Sequence, residues 1–309
     1  MVVALLALLA GQCSAEVTFD GRMPQALTVH LDGKTYRAEP QLAGGGNSGF
    51  AQNVKVGSAI LDAKGGQIIN ASNGKVLEIG AVAQTYNPGN NTGFESKGGM
   101  SLGRTALWVY SWMNFETMGN PSQSTFAVEI GLKADGTPQV LRHTKLGGFS
   151  LQVFPAGIRS GNTVALSSYG VSVFDIKKWA EVQAHPDIES IVTPRNRLYV
   201  NDDAKLSRFD FATQAFKPIM PLKLHGLYSV FDLGTDELLA FEDGFCLPES
   251  KVEYPIEQWD KGWIYVIPRI GIGFTWDNPR TSRPLGMFLS ARGLKPLCEI
   301  RESSRPADT

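Results

Sequence analysis

The chain of 309 residues carries 29 Lys and Arg against 30 Asp and Glu, a net charge of −1, and 43% of its residues are hydrophobic. That balance excludes a general electrostatic attraction for nucleic acid or an anionic membrane. The apolar share is ample for a sizeable core, and 33 Gly and 17 Pro, alternating with apolar runs, mark turns rather than disorder.

At the N-terminus, residues 1–10 read MVVALLALLA, an apolar run too short to span a bilayer. Small and polar residues follow, so the pattern predicts a secretory signal over 1–15 cut after Ala15. No Lys or Arg precedes the run, and Gln12 before Cys13 argues against a lipoprotein signal. The expectation is an extracellular, periplasmic or surface protein with one repeat-built β domain over 16–302 and a flexible tail over 303–309. No later stretch is long and apolar enough for a transmembrane helix.

The next segments read as short strands closed by turn residues. Residues 20–39 contain a hairpin turn at Asp32-Gly33-Lys34. The glycine-rich run 44–49 carries Ser48, but no motif places a base beside it and no Lys-Ser/Thr follows, so it reads as a loop. A second Gly/Asn-rich loop is expected over 87–99. Strands are predicted at 106–112 (ALWVYSW), 125–130 (TFAVEI), 163–167 (TVALS), 171–176 (VSVFDI), 197–201 (RLYVN) and 263–267 (WIYVI). Residues 175–185 (DIKKWAEVQAH) are the best candidate for a turn of helix. The segment 280–305 is locally basic but interrupted by Glu299 and Glu302, which suits a solvated face.

An internal repeat organises these strands. Residues 162–179 and 196–216 both run from Asn through a strand, a polar turn, a second strand and then Ser-x-Phe-Asp-apolar. Ser172 aligns with Ser207, Phe174 with Phe209 and Asp175 with Asp210, at an offset of 35 (210 minus 175). Weaker copies of the acidic ending place Glu78, Glu129, Glu253 and Glu299 in the same series. A period of about 35–50 residues with two or more strands per unit resembles β-propeller repeats as a broad architecture. The resemblance implies an all-β fold with six or seven blades. A β-sandwich or two all-β domains is the alternative. Trp-Asp signatures at strand ends are missing, since Trp259-Asp260 and Trp276-Asp277 fall off the period, and Ala134-Asp135-Gly136-Thr137 holds only a fragment of a sialidase-type turn. The resemblance therefore carries a shape and no catalytic residue.

Candidate chemistry is sparse. Paired carboxylates of the kind glycoside hydrolysis uses occur at Asp202-Asp203 and Glu242-Asp243. Both pairs follow a strand at the same offset, which places them in turns between strands of adjacent units, where Asp bonds its own backbone. Such turns could also hold calcium. Trp108 and Trp112 alternate with Tyr110 on one strand face, and an exposed indole there could stack on a sugar or anchor a protein. Cys246 and Cys298 are a disulfide candidate once Cys13 is removed with the signal. The histidines His30, His143, His185 and His225 are scattered singly, and no metal or haem motif is present. The reading is a non-enzymatic binding or assembly module presenting loops to a protein or glycan partner. A carbohydrate-active hydrolase and a viral or surface structural component are its alternatives.

Overall fold

The computed structural model describes residues 15–17, 27–31, 34–42, 50–64, 66–79, 92–114, 122–147, 156–168, 170–202, 204–234, 236–255, 263–268, 272–274, 289–290 and 300–302. The described residues form strands and turns with no α-helix. The chain divides into two compact units: Gly45–Pro218, and Met1–Gly44 together with Ile219–Thr309.

The first of these contains four antiparallel sheets, each of four strands taken consecutively from the chain. They are β4 (Asn53–Val56), β5 (Ala59–Lys64), β6 (Gln67–Asn70) and β7 (Val76–Glu78); β8 (Thr92–Ser101), β9 (Ala106–Asn114), β10 (Ser122–Leu132) and β11 (Pro138–Leu146); β12 (Ala156–Ser160), β13 (Thr163–Ser168), β14 (Gly170–Asp175) and β15 (Ala180–His185); and β16 (Glu189–Val192), β17 (Leu198–Asp202), β18 (Lys205–Asp210) and β19 (Ala215–Pro221), whose last residues pass into the other unit. The other unit holds a four-stranded sheet of β20 (Ser229–Asp232), β21 (Glu237–Phe241), β22 (Gly244–Leu247) and β23 (Val252–Pro255). A five-stranded sheet beside it joins the two ends of the chain. Its order runs through β2 (Leu27–Leu31), β3 (Lys34–Leu42), β24 (Trp263–Ile267), β25 (Ile272–Phe274) and β26 (Leu289–Ser290), with β3 antiparallel to β24. In addition, β1 (Ala15–Val17) pairs in parallel with β27 (Ile300–Glu302).

A small sheet cannot bury both its faces alone. Within each unit successive sheets cover one another, and β9 displays the principle. Ala106, Trp108 and Tyr110 point to one side, into a core with Val54, Leu61 and Ile68 of the preceding sheet. Leu107 and Val109 point to the other side, into a core with Val164, Leu166 and Phe174 of the following sheet. This explains the unbroken apolar run of 106–110: a strand buried on both faces loses the polar half of its alternation. Ala165, Val171 and Val173 then pack on Val192, Leu198 and Val200. In the other unit Phe231, Leu238 and Phe245 pack on Ile264 and Val266. Close approach is built in at Gly99, where a Cβ would lie 2.7 Å from the Trp108 ring.

Two local expectations are corrected. Residues 175–185 are not helical: after Asp175 the chain turns and returns as β15, antiparallel to β14. Trp179 adopts a φ of 54°, and the Asp175 carboxylate accepts the backbone N–H of Lys178 at 3.0 Å, so the turn is closed before a helix can propagate. Pairing with β14 then overrides the helix-favouring Lys, Ala, Glu and Gln composition. The second half of the expected loop 87–99 is strand β8, paired along β9 with a register shift between Ser96 and Gly98.

The acidic series also changes its meaning. Asp175 and Asp210 both close the third strand of their sheets, as the alignment of the two strong copies requires. Glu129 lies within a third strand, whereas Glu78 and Glu253 lie on fourth strands, and Glu299 is outside the described residues. The structural recurrence is the turn between third and fourth strands. A residue one or two positions before the fourth strand adopts positive φ at Gly74, Gly136, Trp179, Gln214 and Lys251.

Candidate functional site

Two of the candidate acids sit at the tight hairpin between β21 and β22, within one sheet rather than between two. Phe241 pairs with Gly244, so Glu242 and Asp243 form the two-residue tip. Gly244 takes a φ of 155°, and a Cβ there would lie 2.3 Å from the Tyr254 carbonyl oxygen, which makes glycine the residue that fits.

The strandless connector 222–228 lies along this tip. Leu222, Leu224 and Leu227 are buried, and the polar residues between them bond outward. Lys223 donates its backbone N–H to Glu253 at 2.7 Å. His225 donates its backbone N–H to one oxygen of Asp243 at 2.9 Å, and its Nδ1 lies 3.0 Å from the other. Glu242 returns its backbone N–H to the His225 carbonyl at 2.9 Å. Partial burial raises the Asp243 pKa, but the backbone and ring donors of His225 outweigh it and hold the carboxyl below its ordinary value. Both Asp243 oxygens are therefore engaged by one residue. The His225 side chain is 83% exposed, so its outer edge faces water.

This His–Asp pair orients an imidazole, but acid–base or nucleophilic catalysis also needs a reacting group beside it. Glu242 is exposed at the same tip, adjacent in sequence. A glycosidase pair must flank the bond it cleaves, whereas Glu242 and Asp243 are consecutive residues of one two-residue tip. Among the described residues no three His, Cys, Asp or Glu side chains converge as metal ligands.

The remaining candidates are dispersed. Asp202 ends β17, is exposed, and stands opposite Lys205 across the β17–β18 hairpin. This turn too lies within one sheet. Asp203 lies outside the described residues. Asp202 and the Glu242-Asp243 tip belong to different compact units. Trp108 is fully buried between sheets, so it is a core residue and offers no ring to a ligand. Trp112 continues β9, opposite Phe94 of β8 and Ser124 of β10. Cys246 is a buried free thiol, 3.6 Å from the Met220 sulfur. Burial, with Glu253 and Asp236 nearby, pushes its pKa up to about 12. Its expected partner Cys298 lies outside the described residues, as do residues 1–14, 303–309 and the run 44–49.

Residues 18 positions apart made the His225–Asp243 pair invisible to motif reading; only the path of the connector brings them together. A second polar centre was likewise seen only as an acid in a series. Glu129, with 7% exposure, accepts from Thr105 Oγ1 at 2.9 Å and from Arg142 Nε at 2.6 Å. Arg142 also donates to the carbonyls of Ile176 at 3.3 Å and Lys177 at 3.2 Å, and its guanidinium lies 4.7 Å from the Trp179 ring centroid. That arginine ties the second sheet to the third.

In comparisons with known proteins, no family model and no curated protein matches the sequence.

Proposed function

We propose that the chain is a non-enzymatic binding or assembly module of an exported or surface protein, built as a six-bladed β-propeller that presents its hairpins to a protein or glycan partner. Among the described residues, six sheets of four or five strands follow one another in chain order, and the one that joins the two chain ends supports ring closure. Packing of successive sheets within each unit supports the same reading.

The observation that carries the functional part is the use to which the described acids are put. Asp243 is bound by His225, Glu129 by Arg142 and Thr105, Asp135 by Lys75 and Thr137, and Asp210 by Lys217 and its own turn. Carboxylates committed to holding turns and sheets together are poorly placed to exchange protons with a substrate. Recognition requires no such set, and exposed hairpin tips on a rigid scaffold suit it.

The test pairs a panel of chromogenic glycosides with an immobilised glycan array, using the whole chain. Saturable binding without turnover supports the proposal. Turnover that is lost in Asp243→Asn would overturn it in favour of a hydrolase. A crystal structure with the sheets in two separate sandwiches would overturn the propeller.

A further inference from the structure

We propose that Asn73–Gly74 is a self-modifying site, at which deamidation of Asn73 loosens the polar contact between the β6–β7 turn and the β10–β11 turn of the first two sheets of the Gly45–Pro218 unit. It is the one Asn-Gly pair in the sequence. It occupies the turn from β6 to β7, with Asn73 exposed. Gly74 has no Cβ to obstruct its own nitrogen, and its φ of 72° is one that few other residues adopt.

The chemistry needs only water. The Gly74 backbone nitrogen attacks Cγ of Asn73 and gives up its proton. The Cγ–Nδ2 bond breaks, and ammonia departs with that proton. Water then opens the cyclic imide at one of its two carbonyls, leaving aspartate or isoaspartate. Two contacts bear on the rate in opposite directions. Lys75 donates its backbone N–H to Asn73 Oδ1 at 3.0 Å, which polarises the carbonyl under attack and stabilises the charge that develops on it. The Gly74 N–H is held by the Asn70 carbonyl at 2.8 Å, so the nucleophile is freed when that one bond at an exposed turn frays.

The consequence follows from what Asn73 touches. Its Nδ2 lies 3.5 Å from the Asp135 carbonyl oxygen, and a Cβ on Gly136 would come within 2.5 Å of that same nitrogen. Beside it, Lys75 Nζ bonds the Asp135 carboxylate at 2.7 Å and its carbonyl at 3.0 Å, while Asn70 Nδ2 bonds the Gly136 carbonyl at 2.8 Å. Deamidation replaces a donor with an anion facing a carbonyl and a carboxylate, and the new charge competes with Asp135 for Lys75. The isoaspartate product also lengthens the backbone of the turn. Each change loosens the contact between the β6–β7 turn and the β10–β11 turn.

The experiment incubates the whole chain at mildly alkaline pH and follows the tryptic peptide 65–75 by tandem mass spectrometry. Conversion at Asn73 is expected several-fold faster than at Asn53, Asn70 or Asn201, and the converted fraction is expected to melt at a lower temperature. Asn73→Ser keeps the acceptor for Lys75, cannot deamidate, and is expected to melt near the parent without ageing. Asn73→Asp is expected to reproduce the lowered melting temperature at once. Conversion no faster than at the other three asparagines would overturn the proposal. So would a converted fraction, or Asn73→Asp, that melts with the parent.

Discussion

Arg142→Met is the most informative single substitution. It keeps most of the aliphatic stem and removes the guanidinium, which leaves the Glu129 carboxylate buried, its side chain only 10% exposed, with the Thr105 hydroxyl still donating to it. A hydrogen bond to a charged group contributes about 1.5–3 kcal/mol, and a partly exposed cation–π contact adds about 0.5–1 kcal/mol. The Arg142 side chain is 42% exposed, so solvent screens the pair and the upper end of that sum is discounted. The net loss is then about 2–3 kcal/mol, which for a unit of this size lowers the melting temperature by roughly 4–12 °C. Chemical and thermal denaturation followed by circular dichroism reads the loss, with attention to the transition of the Gly45–Pro218 unit, since two compact units need not melt together. A double-mutant cycle with Glu129→Gln isolates the pair, and a coupling of at least about 1 kcal/mol is expected. A loss below about 0.5 kcal/mol, or additive single effects, would refute the reasoning, because surface pairs behave in that way.

Three further outcomes are expected. Trp108→Ala empties the core between the first two sheets of that unit and is expected to cost about 3–5 kcal/mol, or to prevent folding, as read by denaturation. If instead glycan binding falls while stability holds, the burial of this ring is refuted. Cys246 holds its proton in the folded state up to a pKa of about 12 against 9.0 ordinarily. The unfolded chain therefore binds fewer protons between those values, and stability is expected to fall as pH rises through that window, less so in Cys246→Ala. Slow labelling of the native thiol and fast labelling after unfolding would check its burial, while no labelling without reductant would mean that it is paired. Lys251→Gly relieves a left-handed residue at an exposed turn, φ 53°, and is expected to stabilise by up to about 1 kcal/mol after the added freedom of the unfolded chain is subtracted. Denaturant midpoints decide the sign.

Strand positions were legible where burial on both faces produced unbroken apolar runs. The predicted 106–112 falls within β9, 263–267 coincides with β24, and 163–167 lies within β13. Fourth strands were hardly legible, because they sit at sheet edges and carry mixed side chains. In β15, Val182 is 40% exposed while Glu181 bonds the backbone N–H of Gly147, so polar residues point inward and the usual alternation is lost. The same local sequence favours a helix, and only the partner strand β14 decides against it. The site was less legible still. Glu242 and Asp243 could be placed in a turn, but the histidine that occupies Asp243 arrives on a connector whose course no spacing rule encodes.

The turn from third to fourth strand shows why the true repeat escaped the sequence. Its requirement is a backbone conformation, positive φ at one position, met by Gly74 and Gly136 but also by Trp179, Gln214 and Lys251. A left-handed residue without glycine carries a cost of about 1–2 kcal/mol. At two of the three positions a side-chain contact offsets it. Trp179 stands edge-on to Phe174 at 5.0 Å and beneath Arg142. Gln214 donates to Thr163 at 2.9 Å and accepts from Gln183 through its carbonyl at 2.7 Å. Both sets of contacts reach the third sheet of the unit, from within it or from its neighbour. The residue that strains the turn is thus also one that fastens sheets or strands together. Conformation recurs because each sheet needs the turn, while identity varies because each turn meets different neighbours. A search for repeated letters finds the acids at Asp175 and Asp210, which do cap this turn, and then follows similar letters at Glu78 and Glu253 onto the wrong strand.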